Sequence, residues 1–251
     1  MQDEFRVPWF VPSDLDGLFG LFVDNLVNLL IIAGTLMGVF QMPAEIVLGK
    51  VIPGCGLAIL VGNAYYTFMA RRLARRERRT DVTTLPYGIS TPIMFAYLFL
   101  VIGPVYWKTK DATLAWQVGV ASAFIGGVIE LAGAFVGPAI RRYTPRPALL
   151  GTLAGIAIVW IAIKPAVGIW QHPIIGFVPL AVVLVGFVGG GRMPWSLPTG
   201  FVAILAGAAV AWATGFARWP AVVEASGHVG LKIPSPAVGD VLSGLADVLP
   251  F

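Results

Sequence analysis

Three groups of polar residues interrupt otherwise apolar runs in this chain, and each is of a type that can bind a small solute or pass a proton. The first lies in GLFGLFVDNLVNLLIIAG, where Gly20, Asp24 and Asn28 recur every four residues, with Asn25 beside them. That spacing puts Gly20, Asp24 and Asn28 on one face of a helix. A carboxylate near the middle of a bilayer costs at least ~2.5 kcal/mol, so Asp24 needs a cavity or a partner. It reads as a proton or cation site or a group that orients a substrate helix, or else, with Asn28, as polar glue between helices. The second group is DVTTLPYGISTPIMFAY, residues 81–97, broken by Pro86, Gly88 and Pro92. Its Tyr87, Gly88, Ile89, Ser90 and Thr91 are candidate substrate-binding residues. Gly88 allows a ligand close to the backbone and Tyr87 offers a ring to stack on a planar solute. Ser90-Thr91-Pro92 reads as a helix start, whose free amides favour a carbonyl oxygen or an anion. The alternative is a cytoplasmic loop entering a helix capped by Ser90, although Leu85-Pro86-Tyr87 is apolar for a plain loop. The third group is Glu130 in GGVIELAGAF, either a proton carrier that partners the Asp24 face or a carboxylic acid kept neutral by burial.

The elements that must position these residues are membrane helices. Of the 251 residues 57% are apolar and only 12% charged, and mean hydropathy is +0.83; a soluble domain carries about a quarter charged residues. The expected fold class is therefore an all-α membrane protein with seven transmembrane segments. They are expected at about 17–40, 45–69, 83–106, 111–136, 147–163, 174–187 and 198–217. The third is expected to be a short extended strand over 83–90 followed by a half-helix from Thr91. Lipid-exposed backbone must be hydrogen-bonded within itself, so an irregular stretch at membrane depth belongs beside protein or a water-filled cavity. Broken half-helices of that kind build the substrate sites of secondary transporters.

Charge placement sets orientation. With the N-terminus cytoplasmic, the inside loops hold Arg6, the six arginines from Arg71 to Arg79, Arg141, Arg142, Arg146 and Arg192. Outside lie Lys50, Lys108, Lys110, Lys164, Arg218 and Lys232, which makes eleven basic residues against six. This is the positive-inside pattern. It places the chain in the cell (inner or plasma) membrane and assigns the basic balance to topology and anionic lipid rather than to nucleic acid. The single cysteine, Cys55, excludes an intrachain disulfide, and His172 and His228 stand in expected loops with no second ligand near, so no metal or other cofactor is expected. Asn63 reads as a helix–helix hydrogen bond. No phosphate-binding glycine loop and no nucleophile–base spacing is present, so no enzyme is expected. The final VLSGLADVLPF begins an apolar segment that the chain does not complete. The expectation is the front portion of a longer protein.

GLFGLFVDNLVNLL, LVGNAYYTFMARRLARRE and DVTTLPYGISTPIMFAY together resemble xanthine/uracil permease-like proteins of the nucleobase–ascorbate transporter superfamily, toward the adenine/guanine/hypoxanthine permease branch. The resemblance runs along the whole chain in segment order. It implies one repeat of a seven-plus-seven inverted-repeat fold, with segments one to four in a core domain and five to seven in a gate domain. By that division residues 1–13 are a cytoplasmic N-terminus, 14–137 the core half and 138–217 the gate half. Residues 218–251 are then an extracytoplasmic loop and the start of segment eight. Tyr87, Gly88, Ile89 and Ser90 would line the pocket and the face around Asp24 would abut it. The acidic residues that hold the base in this superfamily lie in segments eight and ten, which this chain lacks. The implied partner is a second repeat, from the same gene, from a separate chain, or from a second copy in a homodimer. The arginine bias argues against opposite insertion of two copies.

The expected function is a permease segment that moves a purine- or pyrimidine-like nucleobase with a proton, by movement of the core against the gate. A small-anion carrier of the same fold would favour basic residues near the half-helix, and 83–100 has none. A non-transporting scaffold or a membrane enzyme is the alternative from another class, with Asp24, Glu130 and Tyr87 serving packing or catalysis.

Overall fold

A computed structural model gives the structure of residues 7–11, 14–191, 193–227, 230, 232, 234, 236–248. Arg6, Arg192 and His228, which entered the charge and ligand expectations, lie outside the described residues. The described residues are all-helical. Helix α1 runs over Asp14–Ala33 and continues in wide π turns over Gly34–Val39. Helix α2 spans Ala44–Glu77, α3 spans Thr91–Thr109 and α4 spans Ala112–Tyr143. Helix α5 begins as Arg146–Ile156, widens over Ala157–Ile163 and resumes as Lys164–Gln171. Then come α6 (Pro173–Val188), α7 (Thr199–Ala213), α8 (Trp219–Ser226) and α9 (Val238–Val248). Helices α1 to α4 are long and apolar enough to cross a membrane, as in a multi-pass membrane protein; α6 and α7 are apolar but shorter.

Three of the wide-turn stretches have one local cause. Pro53, Pro104 and Pro165 each follow a π stretch: Val47–Val51, Tyr97–Ile102 and Ala157–Ile163. A proline inside a helix supplies no N–H and its ring strikes the carbonyl four residues earlier. Those carbonyls belong to Gly49, Leu100 and Ile161, all inside the widened turns, where the extra residue moves them aside. The turns between helices are equally local. Arg78 and Lys110 close α2 and α3 in the left-handed region, at φ 51° and 59°. Asp111 then caps α4, its Oδ1 accepting from the amides of Thr113 (2.8 Å) and Leu114 (3.0 Å).

The chain divides into two compact units. The first comprises 1–9, 23–155 and 232–251. Its core gathers Leu36, Phe40, Val47, Met94, Phe95, Leu98, Val105, Val118 and Ala121. Phe40 stands edge-on to Phe99 and to Trp107, over the backbone of Gly103. Helix α9 lies close against α4: Gly244 presses on the Gln117 carbonyl, so no side chain fits there. Above that contact, the Asp240 carboxylate accepts from Trp116 Nε1 (2.9 Å), Gln117 Nε2 (3.2 Å) and Lys50 Nζ (3.2 Å). The indole hydrogen bond, aided by Gln117 and Lys50, holds the Asp240 carboxyl below its ordinary value against the opposing effect of burial. At the other end of α2, the Arg71 guanidinium sits 3.4 Å from the centroid of the Trp9 ring and donates to the carbonyl of Pro8.

The second unit comprises 10–22 and 156–231. Helix α7 packs on α6 through small residues: Gly207 meets the Pro179 ring and Gly186 meets the Thr199 side chain. Such contacts let apolar helices approach closely where lipid removes the hydrophobic drive. Phe19, near the start of α1, stands edge-on to Phe201 at 5.5 Å.

The helices depart from expectation mainly in length. Helix α2 runs on to Glu77 and α4 to Tyr143, past the expected ends at Met69 and Val136, because the arginine-bearing turns that hydropathy excludes are still good helix. Residues 81–90 are free of helix, as expected, but form no β-ladder. The expected strand has no partner strand; side-chain amides pair with it instead.

Candidate substrate site at the broken segment

The irregular stretch leaves its main-chain groups without helical partners, and buried or half-buried groups of that kind must be paired. Two helices supply the pairing. On α2, Asn63 Nδ2 donates to the Tyr87 carbonyl at 2.7 Å while its Oδ1 accepts from the Tyr87 amide at 3.1 Å. The same Nδ2 donates to the Ile59 carbonyl one turn back at 2.8 Å, which fixes the rotamer. On α1, Asn25 Oδ1 accepts from the Ile89 amide at 3.2 Å, and Asn28 Nδ2 reaches the Ile89 carbonyl at 3.5 Å. Asn28 also donates to the Asp24 carbonyl (3.1 Å) and accepts from the Thr91 hydroxyl (3.1 Å), tying the first turn of α3 to α1. Three asparagines thus do what a neighbouring strand does in a sheet.

This pairing decides which edge stays open. In an extended chain the N–H and C=O of alternate residues point to one side. The amides and carbonyls of Tyr87 and Ile89 are taken by the asparagines. Among the described residues, nothing pairs with the amide or carbonyl of Gly88 or with the amide of Ser90. Gly88 must be glycine for a further reason: a Cβ would stand 2.7 Å from Asn25 Oδ1. The result is an exposed donor–acceptor pair beside a helix start, on a backbone held rigid from behind.

Depth follows from the helices. Asn63 lies eight residues before Arg71, where the arginine-bearing end of α2 begins, roughly 12 Å at 1.5 Å per residue. Asn25 and Asn28 lie within the middle of Gly17–Val39. The broken segment therefore meets both helices within their apolar lengths.

Tyr87, Ile89 and Thr91 are brought together with Asn25 and Asn28, which are only 6% and 3% exposed. Tyr87 is less free than its sequence suggests: its ring lies on Gly62, tilted 34° to Tyr66 at 6.0 Å. Ser90 occupies the cap position in extended conformation (φ −70°, ψ 109°), but its hydroxyl makes no capping bond. Asp24 and Glu130 are exposed, and no hydrogen bond of the broken segment includes either carboxylate. The expected polar face of α1 is thus rotated: Asn25 and Asn28 point inward and Asp24 outward, because the inward pair is what Ile89 and Thr91 require. Asn63 carries more than the helix–helix bond read from sequence. Its signal was an amide inside an apolar run, one helix away from backbone in need of partners.

No protein-family model, curated protein or solved structure matches this chain.

Proposed function

We propose that the chain is part of a secondary transporter for a nucleobase-like solute, with the cargo bound at the open edge of Gly88 and Ser90. The supporting observation is the unpaired N–H and C=O of exposed Gly88, between Tyr87 and Ile89 that Asn63 and Asn25 hold. Purines and pyrimidines present adjacent ring N–H and C=O groups, so one edge of the base pairs with that main-chain unit while Ser90 and the half-helix amides take a second oxygen. The exposed Tyr87 ring offers a planar base a surface to stack on. The resemblance to xanthine/uracil permease-like proteins leads to the same cargo class. In this reading the chain crosses the membrane seven times with its N-terminus cytoplasmic, the coupling ion is a proton, and the core moves against the gate. The exposed edge is closed by a second repeat that brings the acidic residues for the base. A small anion is the second reading; it lacks a cationic side chain in 83–100.

Uptake of labelled uracil, xanthine, adenine and hypoxanthine into proteoliposomes of the full-length gene product tests this. One base is expected to accumulate, with loss in Ser90→Ala and a changed pH dependence in Asp24→Asn. Transport of a base that both substitutions leave untouched removes the site assignment; uptake of sulfate but of no base favours the anion reading.

A further inference from the structure

The turn from α4 into α5 carries a second site, independent of the one above. A cavity of about 780 Å³ opens there, lined by Pro138, Arg141, Arg142, Arg146 and Leu150. The three arginines are exposed and, among the described residues, have no ion pair or hydrogen bond. Arg71 and Arg79, by contrast, are engaged with Pro8 and Trp9 and with Glu77 and Asp81. Arg141 and Arg142 in the last turn of α4 suit the helix dipole. Arg146 does not: it opens α5, at the positive end of that helix's dipole. Three guanidiniums converge on one cavity, a field that calls for a phosphate.

Pro138 and Leu150 make the apolar part of the cavity lining, and Pro138 also belongs to an apolar stripe. Val128, Leu131, Phe135, Pro138 and Arg142 follow each other at spacings of three and four residues, one stripe on α4. Val128, Leu131 and Phe135 are 51%, 66% and 81% exposed. From Val128 to Pro138 the stripe is roughly 15 Å long, the reach of about a dozen acyl carbons. We propose that this is a binding site for an anionic phospholipid, its phosphate on Arg141, Arg142 and Arg146 and an acyl chain along Phe135, Leu131 and Val128.

Native mass spectrometry of the solubilised full-length protein, titrated with phosphatidylglycerol and phosphatidylcholine together, tests the site. Phosphatidylglycerol is expected to bind preferentially. Replacing all three arginines by Gln should weaken it about a hundredfold, and Arg146→Gln alone about fivefold; replacement by Lys should retain most of the binding. Phe135→Asn should weaken the lipid and leave inorganic phosphate unaffected. Circular dichroism of each variant verifies helix content, and the single Arg146→Gln variant carries the test if the triple one fails to fold. Equal binding of the two lipids overturns the proposal. So does an equal loss when Arg72, Arg75 and Arg76 are replaced instead, which is the outcome for unspecific charge. Displacement by inorganic phosphate with no effect of Phe135→Asn assigns the arginines to free phosphate and overturns the lipid.

Discussion

Asn63 and Gly88 divide the labour at the broken segment: one amide holds the backbone from behind, and the absence of a side chain lets the other stay close. Asn63→Leu removes both partners of Tyr87. In the carrier reading the cavity brings water to Tyr87, which is exposed, so the expected loss of stability is only about 1 kcal/mol. Uptake should fall more, by at least about tenfold, because an unanchored Gly88 no longer presents a fixed edge. Thermal unfolding and initial uptake rates measured together check this; equal, small effects on both would make Asn63 ordinary helix packing. Gly88→Ala pushes a methyl into the Asn25 amide and should abolish uptake at normal expression. Ser90→Ala separates position from binding. Its hydroxyl makes no cap bond, so stability should stay within about 0.5 kcal/mol, and an increase in KM would be the mark of a cargo contact.

At the scale of elements, the Asp240 carboxylate adds to the close packing of α9 on α4 at Gly244. The Asp240 carboxyl is depressed in the folded chain, so its contribution is fully present above the ordinary carboxylate value of 3.8 and is lost as pH falls through the lower folded value. Hydrogen exchange over 238–248 should therefore accelerate only in that acid range. In Asp240→Asn it should be faster already at neutral pH and flat with acidification; an unchanged pH profile in that variant would place the acid sensitivity elsewhere. The element boundaries show what sequence made legible. The break at 81–90 and the start of α3 at Thr91 followed from Pro86, Gly88 and Pro92, because backbone chemistry is local. The ends of α2 and α4 did not, since hydropathy stops at the membrane and hydrogen bonding does not. Nor did the rotation of α1. Asp24 and Asn28 are one turn apart, but which of Asp24 and Asn25 turns inward is set by Ile89, which lies 61 residues beyond Asn28. Helical periodicity has no access to such a partner.

For the whole molecule, four helices among the described residues are long and apolar enough to cross a membrane, and the carrier reading adds one demand: the Gly88 edge must be reachable from water and covered by cargo. The chain is suited to asking this, because Cys55 is its only cysteine and lies half-buried in α2. With Cys55→Ala as background, Ser90→Cys should react with a charged methanethiosulfonate added to oriented vesicles, since Ser90 is exposed. At about ten times its dissociation constant, the correct base should slow that reaction about tenfold. A cysteine at Thr83, exposed but outside the asparagine-held stretch, should react at the same rate with and without base. Reaction from only one face of the membrane at a time, shifting to the other under a proton gradient, is what alternating access requires. Equal labelling of Ser90→Cys with and without every base tested would mean that the open edge serves assembly with another polypeptide, and the carrier reading would fall with it.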